Sequence, residues 1–346
     1  MNKNHSQPNH KSLKCLKLVG QYVINMEQKL GEGSYGTVYM ATLQTDQSKQ
    51  YAVKVISSQI FKSSLHNFEM LKKEIEVLKK LRHENIVCLH EISQSSNNLY
   101  LFLDYCNGGD LSEYINSKLS KRLSESESIE FFKQFVDAYQ YLYSQKIIHR
   151  DVKPENLMLH NGKLKLADFG FGRFIEGEMD LCQRMSIKCT PIYASPQLLK
   201  RVDYSSKCDI WSSACVFYKM LYGKYPFTAA NQQQLLENIE RKVNKQTFQF
   251  PLDPPISENV KQLIIQMLKF EESERISWEE LFKHPVLIHN KKMNILNSLD
   301  ENTEREGNPL YQSIIENRNN VEANDTVLKN SNNKTIQCTK QQKWIK

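Results

Sequence analysis

Eight residues constrain this chain more than any other stretch. His149-Arg150-Asp151-Val152-Lys153-Pro154-Glu155-Asn156 puts a carboxylate, two cations and a carboxamide into one short segment. Asp168-Phe169-Gly170 begins twelve residues after Asn156. Asp151 reads as an acceptor for a hydroxyl proton. Asn156 and Asp168 carry hard oxygens of the kind Mg²⁺ prefers. Lys153 can neutralise a transferring phosphoryl group. Phosphoryl transfer needs this inventory, because its chemistry is mostly positioning and charge compensation. The alternative is two unrelated polar loops in some other α/β protein, and the remaining motifs argue against it.

Upstream, Gly31-Glu32-Gly33-Ser34-Tyr35-Gly36-Thr37-Val38 follows the pattern GxGxxGxV. Glycines there let the backbone turn tightly and approach phosphates. Alone the pattern is weak, since GxGxxG also opens dinucleotide folds. Here Val38-Tyr39-Met40-Ala41 continues as a strand, where a dinucleotide fold would open a helix. Gln50 to Ile56 alternates around a β-prone core, with Lys54 as its one charge. A strand lysine usually faces solvent. Beneath a glycine-rich turn, Ala52-Val53-Lys54 instead reads as a grip on α/β phosphates. Its expected carboxylate is Glu74, on a helix at 66–81 where Phe68, Leu71, Ile75, Leu78 and Leu81 recur three and four apart.

Further runs at 86–89 and 99–103 predict two more strands, giving a small antiparallel sheet with one helix. Asp104-Tyr105-Cys106 leaves the last strand, and Asn107-Gly108-Gly109-Asp110 breaks it. A hinge at 104–110 exposes backbone groups to an adenine edge. Beyond it the pattern is helical. Ser124 and Glu127 suggest a capping box, followed by a buried stripe of Ile129, Phe132, Phe135, Val136, Tyr139 and Leu142. Residues 208–221 are too apolar for a surface helix. Asp209, near its start, reads as an N-terminal cap, a buried tie to the catalytic loop, or both. Residues 168–197 form a long loop bearing Ser186, Thr190 and Tyr193. Ser186 is either a plain surface serine or a phosphorylation site whose phosphate pairs with Arg150.

The chain has 346 residues, 40% apolar and 25% charged, with a net charge of +7. These are ordinary values for a globular protein. Its cations cluster near both ends, and nothing resembles a nucleic-acid reader. Eight cysteines without a CxxC pair suggest free thiols in a reducing compartment. The start lacks an apolar run, no stretch is long and apolar enough to span a membrane, and Asn2 stands where myristoylation needs glycine. A cytoplasmic location is expected, with membrane recruitment through partners.

Taken in order, these motifs resemble the eukaryotic Ser/Thr protein kinases over residues 22–289. The carriers are the glycine-rich turn, Ala52-Val53-Lys54, Glu74, the His149–Asn156 loop, Asp168-Phe169-Gly170, Asp209-Ile210-Trp211 and Arg275. The resemblance implies an α+β, two-lobed fold with an N-lobe at 22–103, a hinge at 104–110 and a C-lobe at 111–289. A flexible basic arm at 1–21 and a polar tail at 290–346 flank it. It implies ATP and Mg²⁺ as cofactors and protein Ser/Thr hydroxyls as substrates. Gly31, Glu32, Gly33, Ser34, Tyr35 and Gly36 would cover the phosphates. Val38, Ala52 and Met158 would sandwich the base, Leu103 would gate its back, Asp104 and Cys106 would line its edge, and Asp110 would meet the ribose. Lys54 with Glu74 would hold phosphates, Asn156 and Asp168 the metal, and Asp151 with Lys153 the reacting groups. Leu78, Leu89, His149 and Phe169 look like the stacked column of an active kinase. Ser186, Thr190 and Arg150 would be regulatory, served by an upstream kinase or by autophosphorylation.

A narrower resemblance, to the autophagy-initiating unc-51-like group, rests on residues 104–111 and 164–173. There is also one departure. Ser195-Pro196-Gln197 stands where the family has Ala-Pro-Glu, so Gln197 would face Arg275 without ionic compensation. This predicts a looser substrate platform and makes a catalytically impaired scaffold the rival function. It also predicts a small stability gain for Gln197→Glu.

Overall fold

The computed structural model describes residues 15–33, 36–62, 64–183, 190–244 and 247–288. Six strands form an antiparallel sheet in the order β1-β2-β3-β4-β6-β5. They are β1 (Leu16–Val19), β2 (Tyr22–Gly33), β3 (Gly36–Leu43), β4 (Gln50–Ser57), β5 (Leu89–Gln94) and β6 (Asn98–Asp104). Between β4 and β5 lie a short helix, α1 (Ser58–Lys62), and the long helix α2 (Leu65–Lys80). Ser64 caps α2 by accepting the Asn67 N–H. Leu71, Glu74, Val77 and Leu78 form its buried face, while Phe68, expected inward, is 45% exposed at the first turn.

Strand β1 lies within the stretch that composition assigns to a flexible arm. Its backbone pairs with β2 from Leu16↔Asn25 to Val19↔Tyr22. The Lys17 amine lies over the Tyr100 ring, so a Lys-rich segment can still cover the sheet. A second difference concerns the expected strand at 86–89. Strand β5 begins only at Leu89. Val87 N–H instead donates to Leu166 O, and Leu166 N–H to Asn85 O, which turns this segment toward the other lobe.

The sheet has two covered faces. Ile56 and Leu101 join the main core together with Leu71 and Leu78 of α2. On the other face Tyr22, Ile24, Val53, Tyr100 and Phe102 form a separate cluster, with Tyr22 stacked 3.8 Å from Phe102.

The larger lobe is mainly helical. It contains α3 (Leu111–Ser117), α4 (Glu125–Ser144), α5 (Pro196–Lys200), α6 (Lys207–Tyr222), α7 (Gln232–Asn244), α8 (Glu258–Met267), α9 (Trp278–Phe282) and α10 (Pro285–Ile288). Short hairpin strands β7 (Ile147–Ile148), β8 (Leu157–His160), β9 (Lys163–Leu166) and β10 (Arg173–Phe174) carry the loops between α4 and α5. The predicted stripe of α4 is buried throughout. Ser124 caps it, but Glu127 accepts the Tyr114 hydroxyl and so does not close the box. At the start of α9, Ser277 and Glu280 form a complete capping box. In α6 every residue from Cys208 to Tyr222 is buried. None of the described helices is long and apolar enough to cross a membrane.

Candidate active site

The His149–Asn156 loop runs from β7 to β8 and is held from below by α6. Asp209 is fully buried there. Its Oδ2 accepts the His149 N–H at 2.8 Å and the Tyr139 hydroxyl at 2.7 Å, and its Oδ1 accepts the Arg150 N–H at 2.9 Å. Of its two expected roles, the tie to the loop is the one observed, because no side chain caps the N-terminus of α6. Burial raises the Asp209 carboxyl above its ordinary value, opposed by His149 and by these hydrogen bonds. The tie fixes Arg150 in a left-handed conformation, φ 68°. Arg150 Nε donates to Phe171 O at 2.7 Å, which joins the loop to the segment after Asp168.

Three side chains converge at Asp151. Lys153 Nζ donates to Oδ2 at 2.7 Å and Asn156 Nδ2 to the same oxygen at 3.0 Å. Asn156 Nδ2 also reaches the Asp151 carbonyl at 2.8 Å. Thr190 Oγ1 donates to Oδ1 at 2.9 Å and accepts from Lys153 at 3.3 Å. Sequence reasoning places Thr190 among regulatory hydroxyls. The structure sets it directly on the loop's carboxylate, a contact spanning 39 positions that no local pattern announces.

Strand β9 delivers Asp168, which is exposed and left-handed at φ 57°. Gly170 N–H donates to Asp168 Oδ1 at 3.1 Å. Phe169 turns the other way and is buried, its ring meeting His149 edge-on at 5.0 Å. His149 Nδ1 accepts the Asp151 N–H and Nε2 donates to Ala167 O, so one imidazole braces both loops. All four residues of the expected column, Leu78, Leu89, His149 and Phe169, are buried.

Lys54 Nζ sits 2.6 Å from Glu74 Oε1, with side chains 12% and 3% exposed. Among the described residues the other carboxylate oxygen, Oε2, has no hydrogen-bond partner. It lies 3.6 Å from where a Cβ on Gly170 would stand, so the pair faces the Asp168 turn. Strand register brings the predicted base-lining residues together. Ala52 pairs with Leu103, Val38 with both Gly31 and Lys54, and Met158 with Asp110. Gly36 has a structural reason, since a Cβ there would overlap Val55 O at 2.1 Å. Gly31 and Gly33 have no such crowding. Glu32 is exposed and paired with Lys29. Asp110 caps α3 through the Glu113 N–H at 2.9 Å. Ser34, Tyr35 and Ser186 lie outside the described residues.

Two further charge clusters frame the site. Asp104, at the end of β6, accepts from His90 at 2.6 Å, Lys165 at 3.0 Å and the Cys88 N–H at 3.1 Å. Burial alone would raise its carboxyl. The bonds from His90, Cys88 and Lys165 outweigh burial and hold it well below the ordinary carboxylate range. Half-buried Cys106 follows, its thiol pushed up to about 12 by burial and then by the Asp104 charge.

The second cluster surrounds Arg275 and Gln197. Arg275 is 1% exposed and donates to Gln197 Oε1 at 2.9 Å, as expected. Its charge is nevertheless compensated. The Glu272 carboxylate lies 3.9 Å away, and the carbonyls of Lys207, Lys269 and Phe270 all accept from the guanidinium. Burial lowers the Arg275 pKa to about 10 and Glu272 opposes that shift. Glu272 also accepts from Ser205 N–H and Oγ and, at 3.0 Å, from the Cys182 thiol. The ionic compensation that Gln197 lacks is therefore supplied by Glu272. Glu272 lies in the ordinary-looking acidic run Glu271-Glu272, which carries no signal for this role.

Comparison with known proteins agrees with this geometry. Residues 24–287 match the protein kinase domain family. The chain is 33% identical to the serine/threonine-protein kinase ATG1 of Debaryomyces hansenii, over 81% of this chain and 36% of that protein. It is 33% identical to the human serine/threonine-protein kinase ULK1, over 78% and 26%. It is 35% identical to calcium-dependent protein kinase 5 of Plasmodium falciparum, over 74% and 44%. The chain thus spans less than half the length of each of these relatives. Family model, relatives and fold converge on one statement: the chain belongs to the eukaryotic serine/threonine protein kinase family.

Proposed function

We propose that this chain transfers the γ-phosphoryl group of ATP to serine or threonine hydroxyls of protein substrates. One observation carries the reading most directly: Asp151 is shared by Lys153, Asn156 and Thr190 while Lys54 is closed on Glu74. The oxygens needed for a metal fit as well. Asp168 Oδ2 and Asn156 Oδ1 accept no hydrogen bond among the described residues, although the other polar atoms of both side chains are engaged. Mg²⁺ held by these two oxygens would neutralise phosphate charge.

The chain's own residues then divide the work. Lys54, oriented by Glu74, grips phosphate oxygens under the turn at Gly31, Gly33 and Gly36. Asp151 accepts the proton of the substrate hydroxyl as that oxygen bonds to the γ-phosphorus, the bond from phosphorus to the β,γ-bridging oxygen breaks and ADP leaves. Lys153 bridges Asp151 and Thr190 and offsets charge on the group in transit. Val38, Ala52, Leu103 and Met158 enclose the base. The narrower reading, membership of the unc-51-like group, draws support from two of the relatives above and from the Asp104–Leu111 segment. The calcium-dependent relative is its competitor.

Asp151→Asn tests the reading. Transfer of labelled γ-phosphate should be abolished while ATP binding, followed by titration of a fluorescent analogue, is kept. Transfer by the variant at near wild-type rate would overturn the assignment. A wild-type chain that binds nucleotide with Mg²⁺ and never turns over would favour the scaffold.

A further inference from the structure

Among the buried charges, Lys219 stands apart. Lys54 has Glu74, Arg275 has Glu272, and Asp209 has two backbone N–H groups and a tyrosine. Lys219 is only 8% exposed, in the last turn of the most apolar helix of the larger lobe. Its amine donates to Tyr225 Oη at 2.9 Å and lies 4.5 Å from that ring's centroid. Among the described residues no carboxylate forms an ion pair with it. An ammonium has three donors, and here one is used. A buried, unpaired charge is costly, so such a cation points to an anion that arrives from outside.

Its position says which anion. Tyr225 Oη accepts from Tyr193 Oη at 3.4 Å, and the rings meet edge-on at 5.6 Å. Tyr193 closes the 3-10 turn Pro191–Tyr193, and Thr190 at its head is bonded to Asp151. The tyrosine pair therefore runs from the carboxylate that would receive the hydroxyl proton to the amine of Lys219. Tyr225 is half-buried and Lys224 beside it exposed, so the cluster opens at the rim of the substrate side. Glu155, exposed on the His149–Asn156 loop, is near enough for its charge to act on the Tyr193 hydroxyl. A rim with Lys219 and Lys224 on one side and Glu155 on the other would select charge at a particular position and would not attract acidic chains indiscriminately.

We infer that Lys219, presented by Tyr225, is a specificity-determining residue that binds an anionic side chain of the protein substrate, near the target hydroxyl but not at it. The ligand chemistry is a carboxylate or a phosphate on the peptide. This rests on the function proposed above.

The test uses the full chain with Mg-ATP and neutral peptides containing one serine. A single Glu, phosphoserine or Lys is moved through the positions on either side. The readout is the ratio of KM for neutral and charged peptides, so a general change in activity cancels. At one position Glu or phosphoserine should lower KM about five- to tenfold, with kcat little changed. Lys219→Met should remove that ratio, Lys219→Glu should reverse it toward Lys, and Tyr225→Phe should weaken it while keeping the ring. No positional preference in the wild type, or one that survives in Lys219→Met, overturns the inference. A larger effect of phosphoserine than Glu assigns the site to substrates already phosphorylated, and equal effects to acidic ones. Anisotropy of labelled peptides with alanine in place of serine reads the same preference without turnover. A chain that fails to phosphorylate anything would sink the catalytic reading, and the binding ratio would still decide the subsite.

Discussion

Two buried side chains of opposite sign hold the two sides of this site. Asp209 is an anion beneath the His149–Asn156 loop and collects donors: two backbone N–H groups and a tyrosine hydroxyl. Arg275 is a cation beneath the Ser195–Gln197 segment and collects acceptors: three backbone carbonyls and the Gln197 amide oxygen. Both serve the same physical end, since loops brought into a protein interior must have their backbone groups satisfied. They differ in redundancy. Among the described residues Asp209 forms no ion pair with a cationic side chain, whereas Arg275 draws on a side-chain amide, Glu272 and the Trp211 ring 5.3 Å away. An anchor with several partners can lose one and persist. The Gln197 departure is tolerated for that reason.

The comparison can be broken by experiment. Asp209→Ala strands three donors, two of them in the catalytic loop. It should cost about 3–5 kcal/mol in urea unfolding and lower kcat by about a hundredfold or more. A loss no greater than that of an exposed substitution would remove Asp209 as the anchor. Arg275→Met should cost about 2–4 kcal/mol and raise KM for a protein substrate more than it lowers kcat. Equal damage to kcat would mean that the two anchors are not separable.

Glu272→Gln should cost about 1–2 kcal/mol, because a single amide oxygen can serve the Ser205 donors or the Cys182 thiol but not both, and Arg275 loses its nearby charge. Asp104 sharpens the picture by its pH dependence. Its folded carboxyl lies below its ordinary value of 3.8, so its stabilisation is present above that value and is lost as pH falls further. Asp104→Asn should flatten the acid limb of a stability–pH curve, and an unchanged limb would contradict the clamp. Smallest is Gln197→Glu. A carboxylate gains charge against Arg275 but forfeits the bond from Gln197 Nε2 to Phe270 O, 2.8 Å in the wild type. The small gain expected from sequence should shrink to a net change within about 0.5 kcal/mol, read as a melting shift.

The contrast also separates what sequence could show from what it could not. Asp209 was legible because it heads an apolar helix and its alternatives could be named. The Lys54–Glu74 pair was legible because Ala52-Val53-Lys54 follows a glycine-rich turn and the helix period puts Glu74 beside the inward Ile75. Glu272, Thr190 and Lys219 were not. Each acts through partners far away in the chain, and nothing in an acidic run, a loop threonine or a helix lysine encodes the partner. Strand β1 was hidden for a related reason. Its backbone bonds come from β2, and composition reports only its lysines. Half of the predicted α4 box failed because Tyr114, thirteen positions before Glu127, outcompeted the local backbone.

The Asp104 cluster has a mechanical consequence. Asp104 ends the small lobe's last strand, and Lys165 lies on β9, three residues before Asp168. The segment 85–87 is stitched to the same strand through Leu166. A hinge is usually pictured as a free joint, but this one is geared. When the lobes swing apart, either the Asp104–Lys165 bond breaks or β9 travels with the small lobe and carries Asp168 with it. In the second case the opening of the cleft and the displacement of the Asp168 carboxylate are one movement, coupled through the Asp104–Lys165 bond.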